Sequence, residues 1–215
     1  MPELPEVETI RRSLCSVLID KEIQGVEVFL EKAITPQPPE QLQAMLVGRK
    51  ISDVRRRGKY FILLLDNDQR VAFHLRMTGR LIFLPTLSPM ERHTTLSLNF
   101  IDGHSLHFVD PRKFGTVVLY EPFHPPTGLK NLGPEPLDSK KEVVISSMKN
   151  AAARRKGPIK GLLLDQRVIA GLGNIYVDET LFLAGVNPTR SVREIKEEEW
   201  EKIYQSILTV LELAI

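Results

Sequence analysis

The residues best suited to chemistry begin at the second position. The chain opens Met1-Pro2-Glu3-Leu4-Pro5-Glu6. Removal of Met1, which a small second residue favours, leaves Pro2 as a free secondary amine. An α-amino group titrates near about 7.7–8, so a useful fraction is neutral and nucleophilic at physiological pH. Such amines attack electrophilic sugar or carbonyl carbons and form Schiff bases, splitting one hard step into two. Glu3 and Glu6 stand beside it at a helix start, where carboxylates are favoured and can serve acid–base chemistry. Pro-Glu pairs are also ordinary punctuation at a helix start.

Four further segments carry polar chemistry at turns. Arg55, Arg56 and Arg57 run into Gly58-Lys59-Tyr60; a glycine hairpin there would present Lys59, a compact charge suited to phosphate. A solvated basic turn is the simpler reading. His74-Leu75-Arg76-Met77-Thr78-Gly79 joins two strand-like runs. An exposed Met77 could wedge between bases, as apolar residues do when proteins unstack a duplex; core filler is the plainer role for Met77, and a structural one for His74. In Asp110-Pro111-Arg112-Lys113-Phe114-Gly115, Arg112 beside an exposed Phe114 suits filling and stacking in a nucleic-acid gap, although such turns occur on any sheet. Gly171-Leu172-Gly173-Asn174 opens a helix. Its first N–H groups form a ready phosphate site, with Asn174 the expected cap. His104 and His107 are three apart, which places them on opposite faces of a strand and unable to chelate together. Cys15 is the single cysteine, so neither a disulfide framework nor a multi-cysteine zinc site can form. No metal is assigned.

These residues need elements to hold them. Val7, Ile10, Leu14, Val17 and Leu18 recur at helical spacing behind Pro5, which predicts an N-terminal helix. GVEVFL, ISDVRRR, YFILLLD, VAFHLRM, RLIFL, TLSLNFI, HSLHFVD and GTVVLY then follow as strand-like runs with turn signals between them. Short strands at that spacing suggest an antiparallel sandwich or barrel. Residues 121–138 are rich in Pro and Gly and form the candidate linker. Beyond them helices are expected over roughly 139–150, 158–166, 174–184 and 195–214, with loops at 154–157 and 169–173. The last helix should bury Trp200, Ile203, Ile207, Val210 and Leu211. The fold class is therefore α+β: an N-terminal antiparallel β-sandwich with one helix, residues 1–130, then an all-α domain, residues 131–215. The final amphipathic run stops without glycine, proline or a basic last turn, as if the polypeptide once continued.

Composition narrows the class. Of 215 residues, 42% are hydrophobic and 26% charged, which excludes a disordered or fibrous chain. No apolar run reaches the roughly 18–20 residues of a membrane span, and the acidic, Pro-rich start is unlike a signal or transit peptide. A soluble protein of the cytoplasm is expected. The net charge is only +2, yet the first 193 residues hold 27 basic against 21 acidic residues. The basic ones cluster at 55–59 and at Arg154-Arg155-Lys156 with Lys160, compatible with a polyanionic partner.

Taken jointly, PELPEVETIRR, RRGKYF, HLRMTGRL, DPRKFGT, LGPEPL and DQRVIAGLGNIYVDETLFLAGVNP resemble, in order and spacing, the bacterial formamidopyrimidine-DNA glycosylases. These are base-excision-repair enzymes acting on oxidised purines such as 8-oxoguanine. The resemblance covers essentially the whole chain. It implies that Pro2 attacks C1′ of the damaged nucleotide and forms an imino link to the sugar, and that Glu3 is the acid–base residue for ring opening and elimination. Lys59 would contact the phosphate by the lesion, with His74 and Asn174 as further phosphate ligands and Lys160 as a weaker match. Met77, Arg112 and Phe114 would fill the duplex gap, Arg112 facing the orphaned base and Phe114 wedging the neighbouring pair. The helix pair around GLGN would be a helix–two-turn–helix element. The implied partner is damaged double-stranded DNA, bound by a monomer associated with the bacterial nucleoid.

The family continues into a lesion-recognition loop and a four-cysteine zinc finger that binds one zinc. This sequence stops before both, and Cys15 matches no ligand, so no cofactor is expected in it. Two readings follow: a bifunctional glycosylase and abasic-site lyase, or a truncated homologue that binds damaged DNA without catalysis. The sister family preferring oxidised pyrimidines typically begins PEGPE where this chain has PELPE.

Overall fold

The computed structural model describes residues 1–85 and 88–215. Helix α1 (Leu4–Leu18) precedes strand β1 (Ile23–Val28), a 3-10 turn (Glu31–Ile34) and helix α2 (Pro39–Leu46). Seven strands follow: β2 (Ile51–Arg57), β3 (Tyr60–Leu65), β4 (Arg70–His74), β5 (Arg80–Leu84), β6 (Thr94–Phe100), β7 (Ser105–Val109) and β8 (Thr116–Tyr120). They form two four-stranded sheets, ordered β1-β6-β7-β5 and β2-β3-β4-β8. The pairings that bear on the site are antiparallel, with Tyr60 opposite His74 and His74 opposite Thr116.

All eight strand-like runs of the sequence fall on strands, formed by short stretches rich in β-branched, aromatic and other apolar residues between turn signals. Phe61, Leu63 and Phe73 from one sheet and Leu98, Phe100 and Phe108 from the other share a core with Val7, Leu14 and Leu18 of α1. The antiparallel sandwich with its N-terminal helix is thus the observed architecture. Periodicity did not foresee α2. It is eight residues long and buries only Leu42 and Leu46, with Pro39 at its start, a position where proline costs no hydrogen bond.

The helical part comprises α3 (Thr127–Lys130), α4 (Lys141–Ala153), α5 (Ile159–Leu163), α6 (Asn174–Ala184), a 3-10 turn (Val192–Glu194) and α7 (Glu197–Ala214). Along α7, Trp200, Ile203, Tyr204, Ile207 and Leu211 are buried, the spacing of one helical face; Val210 sits at its margin. Glu197, Glu198 and Glu199 occupy its first turn, where the helix dipole favours acidic groups. Residue contacts divide the chain into two compact units. One holds Met1–Pro2, Val7–Arg56 and Tyr60–Pro126; the other holds Glu3–Glu6, Arg57–Lys59 and Thr127–Ile215. The helical unit therefore owns two short excursions of the N-terminal half, and both carry candidate site residues. Among the described residues, no helix is long and apolar enough to cross a membrane.

Candidate active site

Glu3 defines the first cluster. Its carboxylate is buried and accepts from the Gly173 N–H at 2.6 Å and the Ile175 N–H at 3.2 Å. These are donors at the start of α6, which has no intrahelical acceptors for them. Gly173 precedes the helix, Asn174 is its first residue, and no side chain of the local sequence caps it. The expectation that Asn174 would be the cap is therefore corrected: Glu3, 170 positions away, does that work because a charged acceptor satisfies two donors and the dipole together. The same contact occupies N–H groups of the GLGN turn that the sequence offered to phosphate. The exposed Asn174 side chain remains turned to solvent.

Backbone geometry explains the two glycines of this turn differently. Gly171 has φ +94°, and a Cβ there would lie 2.7 Å from the Leu4 Cβ, while the Leu4 N–H donates to the Gly171 carbonyl at 3.0 Å. Gly173 has an ordinary φ of −130°, but a Cβ would sit 2.3 Å from the Glu3 carboxylate. Gln166 steadies the turn: its Oε1 accepts from the Gly171 N–H at 2.9 Å and its Nε2 donates to the Leu172 carbonyl at 2.7 Å. Glu6 completes the cradle. One oxygen accepts from the Glu3 N–H at 2.8 Å and the other from the Tyr176 hydroxyl at 2.5 Å. Burial first, then the neighbouring Glu6 and Glu3 carboxylates, push the Tyr176 hydroxyl well above its usual range, so it stays a donor.

Lys59 belongs to the same unit and is only 6% exposed, which rules out the solvated basic turn. Burial lowers its pKa from 10.5, with Glu3 and Glu6 opposing that shift. Gly58 makes the reversal at φ +55°, a left-handed conformation that favours glycine. Glu135 holds this turn from the LGPEPL segment, accepting from the Gly58 N–H at 2.6 Å and Arg57 Nη1 at 2.7 Å. Arg57 Nη2 donates to the Leu132 and Gly133 carbonyls.

The β-rich unit carries His74, Met77, Arg112 and Phe114. His74 is buried, its Nδ1 accepts from the Arg76 N–H at 3.1 Å, and its ring meets the Tyr60 ring edge-on at 4.5 Å. Met77 and Phe114 are 45% and 51% exposed, so Met77 is not core filler, and the Arg112 guanidinium lies 5.2 Å from the Phe114 ring centre. Behind them Asp110 is 1% exposed. It accepts from the Thr78 hydroxyl and from the N–H groups of Arg112, Phe114 and Gly115. Burial alone would raise its carboxyl; those hydrogen bonds outweigh it and hold the group below its ordinary value. On α5, Lys160 lies 2.8 Å from the Asp178 carboxylate, a partly exposed pair of the kind that contributes little.

The chain matches the family descriptions "Formamidopyrimidine-DNA glycosylase N-terminal domain" over residues 1–117 and "Formamidopyrimidine-DNA glycosylase H2TH domain" over residues 132–215. It is 42% identical over 217 residues to the formamidopyrimidine-DNA glycosylase of Moorella thermoacetica, spanning all of this chain and 78% of that protein. The Geobacillus kaustophilus enzyme is 40% identical over 220 residues with the same coverage. The chain belongs to the formamidopyrimidine-DNA glycosylase family. Among solved structures, the Lactococcus lactis enzyme bound non-covalently to DNA containing an abasic site superposes with a TM-score of 0.89 at 35% identity, covering 99% of this chain and 81% of that one. Its complex with DNA containing a formamidopyrimidine-deoxyguanosine gives the same score and identity over 99% and 80%.

Within this formamidopyrimidine-DNA glycosylase scaffold, sequence reasoning singled out Pro2, Glu3 and Lys59 but gave no role to Tyr176, Gln166, Glu135 or Asp110. Their partners are distant in sequence, and only their place inside LGPEPL, DQRVIAGLGNIY and DPRKFG offered a signal. His104 and His107 do not lie on opposite faces of one strand, as their spacing suggested. His107 lies in β7, whereas His104 precedes it and stacks on Phe83 at 5.0 Å. Among the described residues, no group of three or more His, Cys, Asp or Glu side chains could hold a metal.

Proposed function

We propose that this chain removes oxidised purines such as 8-oxoguanine and formamidopyrimidines from double-stranded DNA and cleaves the strand at the resulting abasic site. The observation that carries the reading is the fixed Glu3 carboxylate, held by two α6 N–H groups directly after Pro2 in the chain. Once Met1 is removed, the Pro2 amine attacks C1′; the bond from C1′ to the base breaks, and the base leaves with a proton. Ring opening gives an imino link between Pro2 and the sugar, with Glu3 handling the protons of ring opening and elimination. Lys59, buried at its turn, takes the phosphate beside the lesion, with His74, Asn174 and Lys160 as further backbone ligands. Met77, Arg112 and Phe114 fill the space the flipped nucleotide vacates, offsetting an unstacking cost of roughly a few kcal/mol. Phosphate contacts supply affinity rather than base choice, so binding weakens steeply with salt. The nucleophile is the chain's own terminal amine and the proton carrier and phosphate charge are its own side chains, and the chain works as a monomer on bacterial chromosomal DNA.

The test is borohydride trapping on duplex DNA carrying 8-oxoguanine, followed by mass mapping. A covalent adduct on Pro2, absent in the chain that retains Met1, is the expected result. No adduct, or one that maps to a residue other than position 2, refutes the mechanism. DNA binding without strand cleavage under single-turnover conditions would instead favour a non-catalytic damage-binding protein.

A further inference from the structure

Asp110 follows β7 and faces two tight turns of its own unit. Its Oδ1 accepts from the Thr78 hydroxyl and, at 3.2 Å, from the Arg112 N–H; its Oδ2 accepts from the Phe114 and Gly115 N–H groups, each at 2.7 Å. The Arg112 N–H also reaches Thr78 Oγ1 at 3.3 Å. Each turn contains a non-glycine residue at positive φ, Arg76 at +55° and Lys113 at +58°, conformations that persist only where surroundings impose them. Gly115 admits the arrangement because a Cβ would lie 2.4 Å from the Phe108 ring. Every group the carboxylate touches is thus backbone or hydroxyl of the turns that carry Met77, Arg112 and Phe114.

We propose that Asp110 is a positioning residue for duplex opening: by closing both turns at once it fixes Met77, Arg112 and Phe114 in one constellation that enters the base stack together. The role rests on the glycosylase reading above. Side chains on loose turns must be ordered when DNA binds, and that ordering opposes binding; one buried carboxylate with directed donors removes it beforehand. The Thr78–Asp110 bond links segments 32 positions apart, so neither turn alone contains the information.

Asp110→Asn is the test. The amide keeps one acceptor but turns N–H groups toward existing donors. Three measurements are compared: single-turnover excision of 8-oxoguanine from duplex, fluorescence of a 2-aminopurine beside the lesion, and borohydride trapping on a single strand carrying an abasic site, where no gap needs filling. Duplex excision should fall by about 10- to 100-fold, the scale of losing one or two hydrogen bonds to a charged acceptor. The fluorescence rise should shrink with it, and single-strand trapping should fall far less. Thr78→Val, which removes one of the four donors, should show the same split more weakly and carries the test if Asp110→Asn does not fold. Equal losses on duplex and single strand, or no loss on duplex, overturn the positioning role. A wild-type chain that excises nothing overturns the glycosylase reading itself, and the positioning role with it.

Discussion

Gly173→Ala isolates what the Glu3 cradle contributes. The backbone at Gly173 has φ −130° and ψ −161°, an extended conformation that alanine adopts freely, so no backbone strain enters. The added methyl would stand 2.3 Å from the Glu3 Cδ and Oε1 and 2.7 Å from Oε2. Glu3 must leave, surrendering bonds to the Gly173 and Ile175 N–H groups at 2.6 and 3.2 Å. A hydrogen bond to a charged group contributes about 1.5–3 kcal/mol, and the longer one less, so about 2–4 kcal/mol of orientation is at stake. If it is expressed in the barrier, the excision rate falls by roughly 30- to 1,000-fold. Gly185→Ala is the matched control: nothing lies within 4 Å of its Cβ but φ is +67°, so it should cost about 1 kcal/mol of stability and no activity. The assay is single-turnover excision beside thermal melting for both variants. Wild-type excision in Gly173→Ala, or an equal loss in Gly185→Ala, would refute the claim that Glu3 acts from this cradle.

Lys59→Met should reduce excision by about 100-fold or more, the scale of losing a preorganised charge, yet leave melting unchanged or raised, since burial already disfavours the ammonium. The sign follows: the folded chain releases this proton before the unfolded one does, so Lys59 makes wild-type stability rise with pH in the window just below 10.5, and urea titrations of Lys59→Met should lack that rise. Glu8 works in the opposite direction. Burial would raise its carboxyl, but hydrogen bonds from Arg11 and Arg12 and the nearby Arg11 and Arg56 charges hold it at about 2 against 4.5. About 2–3 kcal/mol of stability should therefore be present above pH 4.5 and lost as pH falls toward about 2, a slope that Glu8→Gln abolishes in urea unfolding. Phe114→Ala, at a half-exposed side chain, should change stability by less than about 0.5 kcal/mol. Its duplex excision should drop about tenfold, the scale of one aromatic–base stack, relative to single-strand trapping.

Strand positions were legible because short runs rich in β-branched, aromatic and other apolar residues, such as TLSLNF and TVVLY, each end at a turn signal. Helices α4, α5 and α7 were legible through apolar residues at helical spacing, and α6 through the glycine turn that opens it. Helix α2 was not, since two buried leucines in eight residues give no periodicity to detect. The candidate site residues were visible as types, whereas their supports were not. Glu135 reads as a linker carboxylate until it is seen accepting from Gly58, 77 positions earlier. Asn174 read as a cap because local rules favour it; a carboxylate from the other end of the chain displaced that rule. Local sequence encodes elements, and the site is assembled from pairings that local sequence does not contain.

The longest of those pairings bears directly on the chemistry. A chain terminus is ordinarily the least ordered part of a domain unless tied down, which is a poor place for the nucleophile proposed at Pro2. Here three consecutive ties follow Pro2: the Glu3 N–H to Glu6, the Glu3 carboxylate to the α6 donors, and the Leu4 N–H to Gly171. Leu4 itself is fully buried. The amine is therefore one peptide unit from an anchor, and its reach is set by chain length. Inserting one glycine between Pro2 and Glu3 would preserve every tie while moving the amine by up to about 3.3–3.6 Å. A misplacement of about 1 Å can already cost on the order of 10²-fold, so trapping on abasic DNA should nearly vanish while melting stays unchanged. Full trapping by the inserted chain would show that the anchors order the fold without placing the nucleophile.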